Sequence, residues 1–89
     1  MNQNELVTRV RRVVSEIFHL PVEMVTHQLS AEMVESWDSL GLLNLVLSLE
    51  QEFGMHFSPE ETERLISVGA IIDLLESRFE AGGGLRGRS

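Results

Sequence analysis

The residues best suited to chemistry lie in one short run, Glu35-Ser36-Trp37-Asp38-Ser39-Leu40-Gly41. Here a hydroxyl, that of Ser39, sits between a carboxylate and the first leucines of an apolar stretch. Such a hydroxyl can be a nucleophile, part of a helix start, or a point of covalent modification. A hydrolase nucleophile elbow follows G-x-S-x-G. Gly41 meets that pattern, but Trp37 holds the first glycine position, where a bulky side chain fits the strained turn poorly. No strand pattern precedes it. A serine nucleophile also needs a base, itself oriented by a third group. His19, His27 and His56 fall at a helix end, in a loop and in a linker, none in a triad pattern. Glu60, Glu61 and Glu63 read as a solvated helix start, favoured by the macrodipole. Zinc-ligand spacing and a phosphate-binding glycine loop are both missing, so the chain is not expected to be an enzyme and no metal site is expected.

Modification asks for different things: an accessible hydroxyl, a defined backbone and a docking surface close by. A helix N-terminus also suits an attached phosphodiester, because its free amides and positive dipole end stabilise anions. Asp38 opposes this locally, yet its carboxylate suits a cation or a basic residue of a modifying enzyme.

The elements that hold this run can be read from periodicity and punctuation. Leu6, Val10, Val13 and Ile17, with Val7, Val14 and Phe18 beside them, fill an arc of roughly 140° at 100° per residue. Arg9, Arg12, Ser15 and Glu16 fall opposite. This predicts an amphipathic helix from about Asn4 to His19, ended by Pro21. Residues 20–36 have no sustained period and read as a long loop with at most a short helical turn, pinned by Val25 and Leu29. Asp38 is a natural N-cap for a helix from Ser39 to Phe53, and Gly54 is its left-handed terminator. Ser58-Pro59-Glu60-Glu61 reads as a capping box opening a short helix to about Leu65. Ser67 can cap a last helix carrying Val68, Ile71, Ile72, Leu75 and Phe79 on one stripe. From Gly82 on, GGGLRGRS is expected to be a flexible C-terminal tail, because consecutive glycines are costly to order. The fold class expected is all-α: a small four-helix bundle over residues 1–81, with a long first loop and a short third helix.

The Ser39 helix carries more leucine than a core needs. Leu42, Leu45, Val46, Leu49 and Phe53 form one stripe, between roughly 140° and 240° from Leu40. Leu40, Leu43 and Leu47 lie on a separate arc, flanked by Asn44, Glu50 and Gln51. Either this helix is central and buried on most sides, or the second stripe is exposed and meets a partner. Both readings put Ser39 at the N-terminal end of that second face.

Composition narrows the partners. The 89 residues carry a formal charge of −7, and every basic residue is an arginine. Such a surface repels nucleic acid and anionic membranes and suits a partner with a basic patch. At 43% hydrophobic residues the chain is globular, and it has no cysteine, hence no disulfide framework. The first residues lack an apolar signal region, and the stretch from Leu40 to Leu49 is far short of the roughly 20 residues of a membrane span. The expected location is the cytoplasm.

Asp38-Ser39-Leu40, then Leu45-Val46, Leu49-Glu50, Glu52-Phe53-Gly54 and Ser67-Val68-Gly69, together resemble the acyl carrier protein family over about Leu6 to Phe79. The resemblance implies a four-helix bundle whose Ser39 carries covalent 4′-phosphopantetheine, installed from coenzyme A by a phosphopantetheinyl transferase with Mg²⁺. It implies a discrete, monomeric carrier that presents acyl or aminoacyl thioesters to acyl-loading and acyl-transferring biosynthetic enzymes. Asp38, Leu40, Leu43, Leu47 and Glu50 are the residues expected to meet partners. The sequence departs from the pattern at Gly41, Asn44 and Gln51, where typical fatty-acid carriers have a strongly acidic recognition helix. The pathway implied is fatty-acid-like, polyketide or otherwise specialised, and Trp37 before the motif resembles discrete carriers of specialised pathways, some with amino-acid or unusual acyl starters. The alternative is a helical interaction module with no prosthetic group.

Overall fold

The computed structural model describes residues 2–86. Helix α1 spans Gln3–Phe18, α2 Ser39–Phe53, α3 Pro59–Glu63 and α4 Val68–Arg86. The fold is the expected all-α bundle with a short third helix. Helix α1 packs against both α2 and α4. Its buried face is Leu6, Val10, Val13, Val14 and Phe18, the stripe read from the sequence without the half-buried Val7 and Ile17. From α2 the core takes Leu45, Val46 and Leu49; from α4 it takes Val68, Ile71, Ile72, Leu74 and Leu75. Phe53 and Phe79 close the far end, ring centroids 5.8 Å apart.

The helix ends have local causes. The Asn2 side chain accepts from Glu5 N–H to start α1, and His19 ends it in the left-handed region at φ 56°. Gly54 ends α2 at φ 62°, a conformation glycine adopts without the cost a Cβ imposes. The capping box at α3 is complete: Ser58 Oγ accepts from Glu61 N–H, and Glu61 Oε1 accepts from Ser58 N–H. Helix α3 stops two residues before the expected Leu65. The chain there peels away so that Leu65 is fully buried and Ile66 faces solvent.

The long connection is not structureless. It holds two 3₁₀ turns, Val22–Met24 and Ala31–Met33. Val25 and Leu29 are buried as expected, and Val34 and Trp37 are buried with them. Arg11 of α1 straps the first turn: its Nε donates to Val25 O and its Nη2 to Val22 O, both at 2.8 Å. The far half is tied to the start of α4 by an isolated bridge between Ser30 and Ser67. There Ala31 N–H donates to Ile66 O, Val68 N–H to Leu29 O and Gly69 N–H to His27 O.

The helical backbone of α4 runs through Gly82–Gly84 to Arg86, into the stretch expected to be a mobile tail. The rest of that stretch, 87–89, lies outside the described residues.

Candidate attachment and docking site

Ser39 is the first residue of α2 and is exposed. The residue before it, Asp38, is the N-cap, its Oδ1 accepting from Gly41 N–H at 2.9 Å. That bond takes the third amide of the helix. The first two, of Ser39 and Leu40, have no acceptor among the described residues and point out of the helix mouth beside the hydroxyl.

Two residues fix this mouth from behind, and the sequence reading gave neither that role. Trp37 is buried, its ring stacked on Phe18 with centroids 4.9 Å apart, and its indole N–H donates to Leu65 O at 3.3 Å. It thus joins the start of α2 both to α1 and to the segment between α3 and α4. Gly41 is buried against the loop: a Cβ there would lie 2.0 Å from Ser36 O and 2.9 Å from Phe18 Cε1. Its missing side chain lets the loop backbone pass close under the first turn of α2. Gly41 therefore belongs to the inner face, not to an outward recognition face that has lost an acid. Only the choice of glycine inside a helix hinted at it, since close backbone approach is a recurrent reason for one.

The two readings of the second leucine stripe are now separated. Leu40, Leu43 and Leu47 are 67%, 54% and 50% exposed, while Leu45 and Leu49 are fully buried. The helix is not buried all round. Asn44 and Gln51 are exposed along the same face. Glu50 is turned back onto the chain: its Oε2 accepts from Phe57 N–H at 2.9 Å and lies 3.7 Å from His56 Nδ1. Four further apolar side chains are exposed: Val22 and Met24 in the first 3₁₀ turn, Met33 in the second, and Ile66 beside Ser67. They carry no periodic signal, because all sit in short irregular segments.

Among the described residues the three histidines are not brought together. His19 terminates α1, His27 lies over Gly69 at the start of α4, and His56 stands in the linker after α2. Among the described residues no group of three or more His, Cys, Asp or Glu is arranged to hold a metal, and no helix is long and apolar enough to cross a membrane.

An outward serine at an open helix mouth, with an apolar strip running away from it, is the geometry of small helical proteins that bear a covalently attached group. Residues 8–75 match the family model of the phosphopantetheine attachment site. The acyl carrier protein of Thermosynechococcus vestitus is 31% identical over 81 residues, covering 91% of this chain and all of that protein. That of Saccharopolyspora erythraea is 31% identical over 74 residues, covering 83% of this chain and 78% of its own. The solved acyl carrier protein of Enterococcus faecalis superposes with a TM-score of 0.70 at 33% identity, covering 86% of this chain and 98% of its own. The chain belongs to the acyl carrier protein family, whose prosthetic group is 4′-phosphopantetheine and whose members are carriers.

Proposed function

We propose that the chain, within residues 1–81, is a cytoplasmic, monomeric carrier primed on Ser39 that holds acyl or aminoacyl intermediates for the enzymes of a biosynthetic pathway. The observation that carries the reading is the exposed Ser39 at the unfilled mouth of α2, beside the exposed Leu40, Leu43 and Leu47.

The residues present fit 4′-phosphopantetheine. When bound, that group supplies a terminal thiol that holds acyl groups as thioesters. Ser39 Oγ would hold its phosphodiester, and the Ser39 and Leu40 amides and the helix dipole favour the negative charge placed there. Asp38 keeps the first turn wound through its bond to Gly41 N–H, so the hydroxyl does not also have to cap the helix. Trp37 and Gly41 hold the mouth in one position on the bundle, which keeps the point of attachment at a fixed place for partners. Specific but brief docking suits a small apolar strip, since a short-lived complex cannot rest on a large interface.

Intact mass after incubation with coenzyme A, Mg²⁺ and a broad-specificity phosphopantetheinyl transferase tests this. Wild type should gain one phosphopantetheine adduct and Ser39→Ala none, with the helical circular-dichroism signal of the variant intact. Leu43→Gln or Leu47→Gln should slow priming while changing stability by no more than about 0.5 kcal/mol, as for other exposed positions. If wild type stays unmodified while a known carrier is primed, the reading is wrong. A plain helical interaction module is then left, with binding that depends on Leu43 and Leu47 and not on Ser39.

A further inference from the structure

Beyond its N-cap Asp38, the outer face of α2 presents no exposed carboxylate. Three acids lie between residues 38 and 53, and each has one carboxylate oxygen bonded within the chain. Asp38 accepts from Gly41 N–H. Glu50 accepts from Phe57 N–H. Glu52, on the side toward α1, accepts from Arg12 Nη2 at 2.9 Å and lies 3.6 Å from Arg9 Nε. What remains on the outer face, with Leu40, Leu43 and Leu47, are the neutral amides of Asn44 and Gln51. Taking Leu40 as zero, Gln51 lies near 20° and Asn44 near 40°, roughly in line with the leucines. Apart from Asp38 at the helix mouth, the exposed acids stand elsewhere: Glu5 and Glu16 in α1, Glu23, Glu32 and Glu35 in the long loop, Glu60 and Glu63 in α3, Asp73 and Glu80 in α4. The net negative charge surrounds the strip without entering it.

We propose that the enzyme groove receiving this face is apolar and uncharged, so that docking reads the three leucines and finds no basic cluster opposite α2. This rests on the carrier reading above and specifies its partner. The reason is complementarity. An arginine or lysine of the partner placed over Leu43 and Leu47 would lose water without gaining a carboxylate, and a buried charge left uncompensated is strongly unfavourable. Glu50 and Glu52 are half-buried and turned toward Phe57 N–H and the two arginines, away from the strip where such a charge would stand. A second copy of this chain is a poorer occupant than an enzyme. Three half-exposed leucines form a patch on the order of 300 Å², against ~800 Å² on each side of a standard stable complex.

Charges of opposite sign at one position make the test. Asn44→Glu and Asn44→Lys both keep good helix formers at an exposed site. Priming by a broad-specificity transferase, followed by intact mass at fixed salt, gives the rate for each. A neutral groove predicts that both variants are slowed by a similar factor, about 3- to 10-fold, the two rates within twofold of each other. A groove with a basic cluster predicts opposite signs, Glu faster than wild type and Lys slower, and that result overturns the proposal. Rates unchanged in both variants also overturn it, since the face is then not docked. The pair Gln51→Glu and Gln51→Lys repeats the comparison should either Asn44 variant lose its helical signal. No adduct on wild type overturns the carrier reading itself. An adduct with opposite-signed rates overturns only the neutral groove.

Discussion

Helices α2 and α4 begin alike and end up differently used. Each has a side-chain cap on its third amide: Asp38 Oδ1 takes Gly41 N–H, and Ser67 Oγ takes Ala70 N–H. Each has a serine and a glycine in or beside its first turn. At α4 the first two amides are also taken, Val68 N–H by Leu29 O and Gly69 N–H by His27 O. At α2 the corresponding amides of Ser39 and Leu40 meet no acceptor among the described residues. The long loop therefore closes one mouth and passes behind the other. The closed mouth holds the loop to the bundle, and the open one leaves a serine and two amides for an anionic group. A serine at a helix start is thus no evidence of an attachment site until the neighbouring chain is placed.

The two glycines give the sharpest way to break this comparison. A Cβ on Gly41 would stand 2.0 Å from Ser36 O, a backbone atom held by the buried Trp37 next to it. A Cβ on Gly69 would meet His27 Nε2 at 2.7 Å, but that is the far end of an exposed side chain, with the His27 carbonyl 3.2 Å away. Gly41→Ala should therefore cost about 3 kcal/mol, the upper part of the overpacking range, and lower Tm by more than about 10 °C. Gly69→Ala should stay within about 1 kcal/mol of wild type, because the His27 ring swings aside and alanine is the better helix former. Thermal unfolding of the two variants decides it. Equal stability for both would mean that the loop does not press on the first turn of α2.

The caps come next in size. Asp38→Ala and Ser67→Ala each remove one acceptor from a helix start and should each cost about 1 kcal/mol. They should part company in function. Ser67→Ala leaves the open mouth untouched and should prime at the wild-type rate. Asp38→Ala frays the turn that carries Ser39, so priming should slow severalfold at a temperature where both variants are folded. Equal priming rates would show that the winding of the first turn does not matter for the hydroxyl.

Much of this was legible in the sequence, for a physical reason. Helix limits are set by local chemistry, so Asp38, Gly54, Ser58 with Glu61, and Ser67 could be assigned from residue type and spacing alone, and the structure places each as read. The inward stripe of α2 follows from period, as does the surplus of leucine on its other face. What period could not decide was whether Leu40, Leu43 and Leu47 were covered, because that depends on which elements stand beside α2. Val34 and Trp37 were missed as core residues, since a loop held by scattered anchors has no repeat to betray it. Gly41 was read by analogy as a lost acid, when contact with Ser36 O explains it. The bond that Glu50 accepts from Phe57 N–H, seven residues on, leaves no mark in the sequence.

The smallest effect concerns the chain that leads into the closed mouth. Glu61 Oε1 accepts from Ser58 N–H at 2.9 Å and from Arg78 Nη1 at 2.8 Å, tying α3 to the body of α4. The Ser58 amide holds its carboxyl below the ordinary glutamate value, and Arg78 adds to this against the opposing effect of burial. A carboxyl with a lowered folded-state pKa stabilises the fold at pH values above its unfolded pKa. That contribution fades as pH falls from about 4.3 through the lower folded value, because the folded protein must then take up a proton it binds weakly. Glu61→Gln keeps an acceptor for Ser58 N–H but not the charge facing Arg78. Wild type should therefore be modestly more stable than Glu61→Gln near neutral pH, by less than a broken cap costs, and the two should converge below the ordinary glutamate range. Thermal unfolding from pH 7 to pH 3 measures both ends. A gap that widens in acid would have the wrong sign for a lowered pKa and would remove Glu61 from the forces holding α3 on α4.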